Sequence, residues 1–164
     1  MSIAEKLERL ARIIPGVAGY QDKETSRETD KTIRLRLTAE LEQIKRDLED
    51  DKRRLMVKKN LALLPVLDGV ASKLDKLGNL VKYAGRGYRG IFDTYKLDQK
   101  KLDQLYTFDL GLLDGLEAIK IQVRQVRDSH GDPVVMQKTI DELGRSLDQL
   151  EKTVSTRQNI LIAR

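Results

Sequence analysis

From Asp98 to Arg127, apolar side chains return every three or four residues: Leu102, Leu105, Leu112, Leu116, Ile119, Val123 and Val126. One charge, Asp109, sits inside that row. A strand alternates at every second residue and cannot use such spacing, so the pattern predicts a helix with one buried stripe. Asp98 can cap its free N–H groups, Leu97 and Leu102 flank the cap at staple spacing, and Ser129-His130-Gly131 is a stop signal. After Asp132-Pro133 a second row begins: Met136, Ile140, Leu143, Leu147, Leu150, Val154 and Leu161, broken by Arg157. Two helices of about 45 Å joined by so short a turn must fold back antiparallel. That fold sets Asp109 opposite residue 154 or so, one turn from Arg157, where the two charges would pair and fix the register.

The first half of the chain repeats the rhythm. A helix over 22–59 carries Ile33, Leu37, Leu41, Ile44, Leu48 and Leu55, interrupted by Asp51. A second over 61–84 carries Leu67, Val70, Leu74, Leu77 and Val81. Between them the direction changes within 58–65, either by full reversal or as a kink at Pro65, which cannot donate a backbone hydrogen bond. Residues 2–14 form a short amphipathic helix with Ile3, Leu7, Leu10 and Ile14 on one face and a Ser2/Glu5 capping box. Pro15-Gly16-Val17-Ala18-Gly19-Tyr20 then forms a turn. The expected fold is all-α: an elongated antiparallel helical bundle of four long helices, or three with one kinked. Residues 1–20 form the appended helix and turn, and 21–164 the bundle, with a Gly/aromatic loop at 85–97.

Composition narrows the function classes. Apolar residues are 40% of the 164, aromatics 4%, and Trp and Cys are absent. The core is therefore aliphatic, and thiol chemistry and disulfides are excluded. Charged residues reach 35% with a net charge of +5, spread thinly, with a mild bias to 61–97. A nucleic-acid binder concentrates its basic charge on one face more than this. No stretch is apolar for long enough to span a bilayer, and the first residues lack the apolar run of a secretory signal, so a cytoplasmic setting is expected.

Candidate chemistry is sparse. Gly85, Gly87 and Gly90 spell G-x-G-x-x-G, but a helix precedes them where the dinucleotide fingerprint requires a strand. Six of the seven aromatics fall within 83–108. Tyr20, Arg86, Tyr88, Arg89, Phe92 and Tyr95 would meet at one end of the bundle, as a plug over the core or as a surface for a partner. Ile3, Leu7, Leu10 and Ile14 offer a face that docks on the bundle, on a partner, or on an anionic membrane. Lys52-Arg53-Arg54 with Lys58-Lys59 follows Glu49-Asp50-Asp51 and reads as a self-neutralising solvated surface. His130, the one histidine, reads as an exposed turn residue, and a single histidine makes neither a metal site nor a triad. Asp109 has no second acid beside it, so it reads as a register charge, and Asp109→Leu is expected to be at least as stable. Gly115 and Gly111 would let a neighbouring helix approach closely.

Ile14-Pro15-Gly16-Val17-Ala18-Gly19-Tyr20-Gln21, Arg27-Glu28-Thr29-Asp30-Lys31 and Arg86-Gly87-Tyr88-Arg89-Gly90-Ile91-Phe92-Asp93 resemble segments of uncharacterised bacterial all-helical proteins. The resemblance implies no activity.

The expected function is a non-enzymatic helical interaction or scaffold module that binds a protein partner or a second copy of itself. No cofactor, metal or small-molecule substrate is expected. The alternatives are peripheral binding to an anionic membrane surface through helix 2–14, and nucleic-acid binding through the basic-aromatic segment 82–96.

Overall fold

The computed structural model describes residues 1–87 and 98–162; of residues 85–87 and 161–162 it describes the backbone alone. Among the described residues the chain is all helix and turn. Its helices are α1 (Ile3–Ile13), α2 (Lys23–Val57), α3 (Leu64–Gly87), α4 (Gln99–Asp128) and α5 (Pro133–Ile162), with a short 3-10 turn at Leu61–Leu63.

Local chemistry sets the starts. Ser2 and Glu5 close a capping box, each side chain meeting the other residue's backbone N–H. The Asp22 carboxylate accepts from Glu24 N and Thr25 N, and Asp98 accepts from Lys101 N at 2.8 Å. Asp132 Oδ1 accepts from Val134 N and Val135 N, with Pro133 in the first position, where a missing N–H costs nothing.

Of the two forms open for residues 22–84, the reversal is observed. The α2 end is a Schellman turn: Asn60 N donates to Leu55 O and Lys59 N to Met56 O. Lys59 takes φ +56° in that turn, a position glycine usually fills. Pro65 falls in the first turn of α3, so no helical bond is lost. The α3 backbone runs three residues beyond the expected end at Ala84.

Ion pairs report the registers. Lys45–Asp75 and Lys52–Asp68 make α2 and α3 antiparallel. Lys73–Asp148 and Lys76–Glu151 make α3 and α5 parallel, and Lys120–Glu40 with Arg127–Asp47 does the same for α4 and α2. The packed neighbours are α2–α3, α3–α5, α5–α4 and α4–α2. Two helical hairpins thus lie side by side, with α2 diagonal to α5.

The periodic stripes face inward. Ile33, Leu48, Leu67, Leu105, Ile119, Met136, Ile140 and Leu143 are each fully buried. Burial of side chains this size contributes about 1.5–3 kcal/mol apiece and carries the fold. Gly115 lets the Leu150 side chain come within 3.0 Å of where a Cβ would stand, tighter than ordinary contact, whereas Gly111 faces open space.

Helix α1 lies across α4. Lys6 Nζ donates to Asp103 Oδ1 at 2.5 Å and to Thr107 Oγ1 at 2.9 Å, and Arg9 meets Asp114 at 2.7 Å. Leu10 and Ile14 are buried in the same core as the bundle, and Ile3 and Leu7 pack against its edge. The apolar face of residues 2–14 is therefore spent on α4 in this structure.

Candidate interaction surface

The residues singled out by the sequence fall into three groups. Tyr88, Arg89, Phe92 and Tyr95 lie outside the described residues, and Arg86 is described in backbone only. The face Ile3, Leu7, Leu10 and Ile14 is docked on α4. Tyr20, Asp109 and Arg157 come together inside the molecule.

That last group is a buried polar knot. Tyr20 is 2% exposed, so its side chain is not offered to a partner, and the aromatic surface expected around it does not include it. Its hydroxyl donates to Asp109 Oδ2 at 2.5 Å and accepts from Arg157 Nη2 at 2.9 Å. Arg157 Nε donates to Asp109 Oδ1 at 2.6 Å and Nη1 to Asp30 Oδ1 at 2.8 Å. Arg34 Nε completes Asp30 at 2.8 Å through Oδ2. Every oxygen of both carboxylates accepts a hydrogen bond, and two guanidinium groups balance two acids.

The knot also holds the 15–20 turn. The Thr29 hydroxyl accepts from Gly19 N and donates to Gly19 O, and Tyr20 N donates to the Tyr106 hydroxyl at 3.0 Å. Gly19 has φ +91°, and a Cβ there would collide with the Tyr106 hydroxyl and Leu7, so only glycine fits. Burial pushes the Asp109 carboxyl above the ordinary carboxylate range, opposed by Arg157 and the Tyr20 hydrogen bond. Burial also raises the Tyr20 phenol, helped by the Asp109 charge. The neighbouring void leaves about 10 Å³, room for one water at most. Among the described residues the arrangement ties α2, α4, α5 and the 15–20 turn to one another.

At the opposite end, Asp51 and His130 form a smaller buried contact. His130 is not the exposed turn residue expected: its side chain is 7% exposed, with Nε2 3.3 Å from Asp51 Oδ1. Arg127 Nε stands 3.6 Å from the same oxygen. The Asp51 carboxyl is raised by burial, against the pull of His130, Arg127 and Arg54.

Above this contact the bundle tip is exposed. Of the nine large apolar residues left in water among those described, five belong to the two tip turns: Met56, Val57 (82% exposed), Leu61, Val134 (79%) and Val135. The helix registers gather them at one end of the bundle: the α2–α3 ion pairs bring Val57 beside residue 63 or so. The α3–α5 pairs likewise bring Leu61 beside residue 136 or so.

The charges of the tip are divided. Lys52 is neutralised by Glu49 and Asp68, and Arg53 by Asp50, as the sequence suggested. Exposed Arg54, whose charge is felt at Asp51, and exposed Lys58 and Lys59 make no salt bridge among the described residues, so the self-neutralising surface expected of this run stops at Arg53. On the other hairpin, a shallow groove of about 570 Å³ runs beside the α4–α5 turn, lined by Asp128, Asp132, Val135, Lys138 and Glu142 among others. The sequence did not single out this tip. Its only signal was that Met56, Val57, Val134 and Val135 are apolar residues lying off the buried stripes.

Comparison with protein-family models, with curated proteins and with solved structures found no match. Among the described residues no helix is long and apolar enough to cross a membrane.

Proposed function

We propose that this chain is a non-enzymatic interaction module: a rigid helical bundle that binds a protein surface, its own or another's, through the tip formed by the α2–α3 and α4–α5 turns. The observation that carries the reading is the concentration of exposed Met56, Val57, Leu61, Val134 and Val135 at one end. Scattered apolar residues on a surface need no explanation, but a cluster rimmed by charge marks a contact site. The knot at the other end is read as structural, since each oxygen of its two carboxylates already accepts a hydrogen bond from the chain itself. The membrane reading through residues 2–14 gains nothing from an apolar face already packed on α4.

The test is site-specific photo-crosslinking in cells, with the reactive group at position 57 or, as control, at exposed Ser72 on the side of α3. Protein adducts concentrated at position 57, of any mass, are expected. Equal or absent adducts at the two positions would remove the reading.

A further inference from the structure

The tip has two halves of opposite charge. One is the α2–α3 turn, with Arg54, Lys58 and Lys59 around Met56, Val57 and Leu61. The other is the α4–α5 turn, where Asp128, Asp132 and Glu142 outnumber the one groove cation, Lys138, beside Val134 and Val135. Asp128 and Glu142, like the three cations, make no ion pair among the described residues. We propose that the occupant of this surface is a second copy of the chain, docked tip to tip about a twofold axis, so that the basic turn of each copy lies on the acidic turn of the other. The proposal rests on the interaction reading and names its partner.

Charge complementarity decides the occupant. An anionic bilayer would be drawn to Lys58 and Lys59 but repelled by Asp128, Asp132 and Glu142 on the same end. A uniformly acidic or basic partner would meet the wrong sign on half of the surface. The matching surface carries apolar residues on both halves with an opposite sign of charge on each, and the same tip turned by half a revolution has that pattern. A twofold interface uses one patch on both copies, so every favourable charge contact occurs twice. Lys59 fits this use. A glycine would hold its φ of +56° with less strain, and the chain places a cation there instead.

The end of a four-helix bundle, with axes about 8–10 Å apart, offers less than the roughly 800 Å² per partner of an ordinary stable interface. The dimer is accordingly a weak one, with a dissociation constant on the order of micromolar or above.

Sedimentation velocity of the full chain, from low micromolar to submillimolar concentration, tests this. The expected result is a monomer–dimer equilibrium that shifts towards monomer as salt is added. Lys58→Glu with Lys59→Glu, and separately Asp128→Lys with Glu142→Lys, should each weaken self-association at least tenfold while circular dichroism and melting stay native. Mixed in equal amounts, the two variants should dimerise again, since each now supplies the sign that the other lacks. Val57→Asp should also give monomer. Three results would overturn the proposal: a wild-type monomer throughout, a dimer indifferent to these substitutions, or a mixture that stays monomeric. A monomer that sediments with phosphatidylserine vesicles would assign the tip to a lipid surface instead. Adducts at position 57 to other proteins, without self-association, would end the proposal and leave the interaction reading standing.

Discussion

Arg157 shows how much a single buried charge is asked to do. It reaches Asp109 on α4, Asp30 on α2 and the Tyr20 hydroxyl in the turn before α2, so one guanidinium ties three parts of the chain. The raised Asp109 carboxyl means that its ionised form is less favoured here than in water. The knot therefore selects one arrangement more than it adds stability. A simple Asp109–Arg157 pair suggested that Asp109→Leu would be harmless. With Tyr20 and Asp30 in place, that change leaves a phenol donor without its acceptor and an extra buried positive charge. Asp109→Leu should destabilise by about 3–5 kcal/mol, read by urea denaturation. A variant as stable as wild type would show that the knot relaxes or hydrates. Asp51 makes a second, pH-dependent case. Its folded value lies above the ordinary 3.8. Its contribution is therefore fully present below that value and lost as pH rises through the folded one. Relative to Asp51→Asn, wild type should be more stable at about pH 4 than at about pH 7, in paired denaturation curves. The opposite slope would mean that His130 and Arg127 outweigh burial.

At the scale of elements the sequence was widely legible, because helices announce themselves by period and cap. Asp22, Asp98 and Asp132 marked three starts that the structure shares, and the rows from Ile33 to Leu55 and from Met136 to Val154 are the buried faces. The α2–α3 junction was harder. Its stop is a Schellman turn whose left-handed position is filled by Lys59, so the usual glycine signal is missing and Pro65 drew attention in its place. The candidate sites were less legible. Asp109 and Arg157 stood out as charges within apolar rows. Asp30 and Thr29 did not, because they sit in a polar stretch and are buried only in the packed structure, Thr29 against Gly19 and Asp30 against Arg157. The tip stayed hidden for the complementary reason: exposed apolar residues beside a stripe look, in one dimension, like a wider stripe. Which face is left in water is a property of the packed registers.

For the molecule as a whole, the segment before residue 20 could have been an appendage. Instead Leu10 is fully buried, Tyr20 enters the knot, and Lys6 and Arg9 bind acids along α4. Contacts of that kind make α1 part of the cooperative unit, since losing it would take Leu10 out of the core it shares with the bundle. Leu10→Ala should then behave as a core substitution, costing about 2–5 kcal/mol, and should lower the midpoint of the one global transition. Far-ultraviolet circular dichroism reports every helix, while the change in tyrosine absorbance on unfolding carries the exposure of buried Tyr20 and Tyr106, two of the chain's five tyrosines. The two curves should coincide in both wild type and variant. An early helical loss in the variant, ahead of the tyrosine signal, would make α1 a separately detachable arm. The partner-facing role of Ile3, Leu7, Leu10 and Ile14 would then reopen, because a face that lifts off at little cost is available to something other than α4.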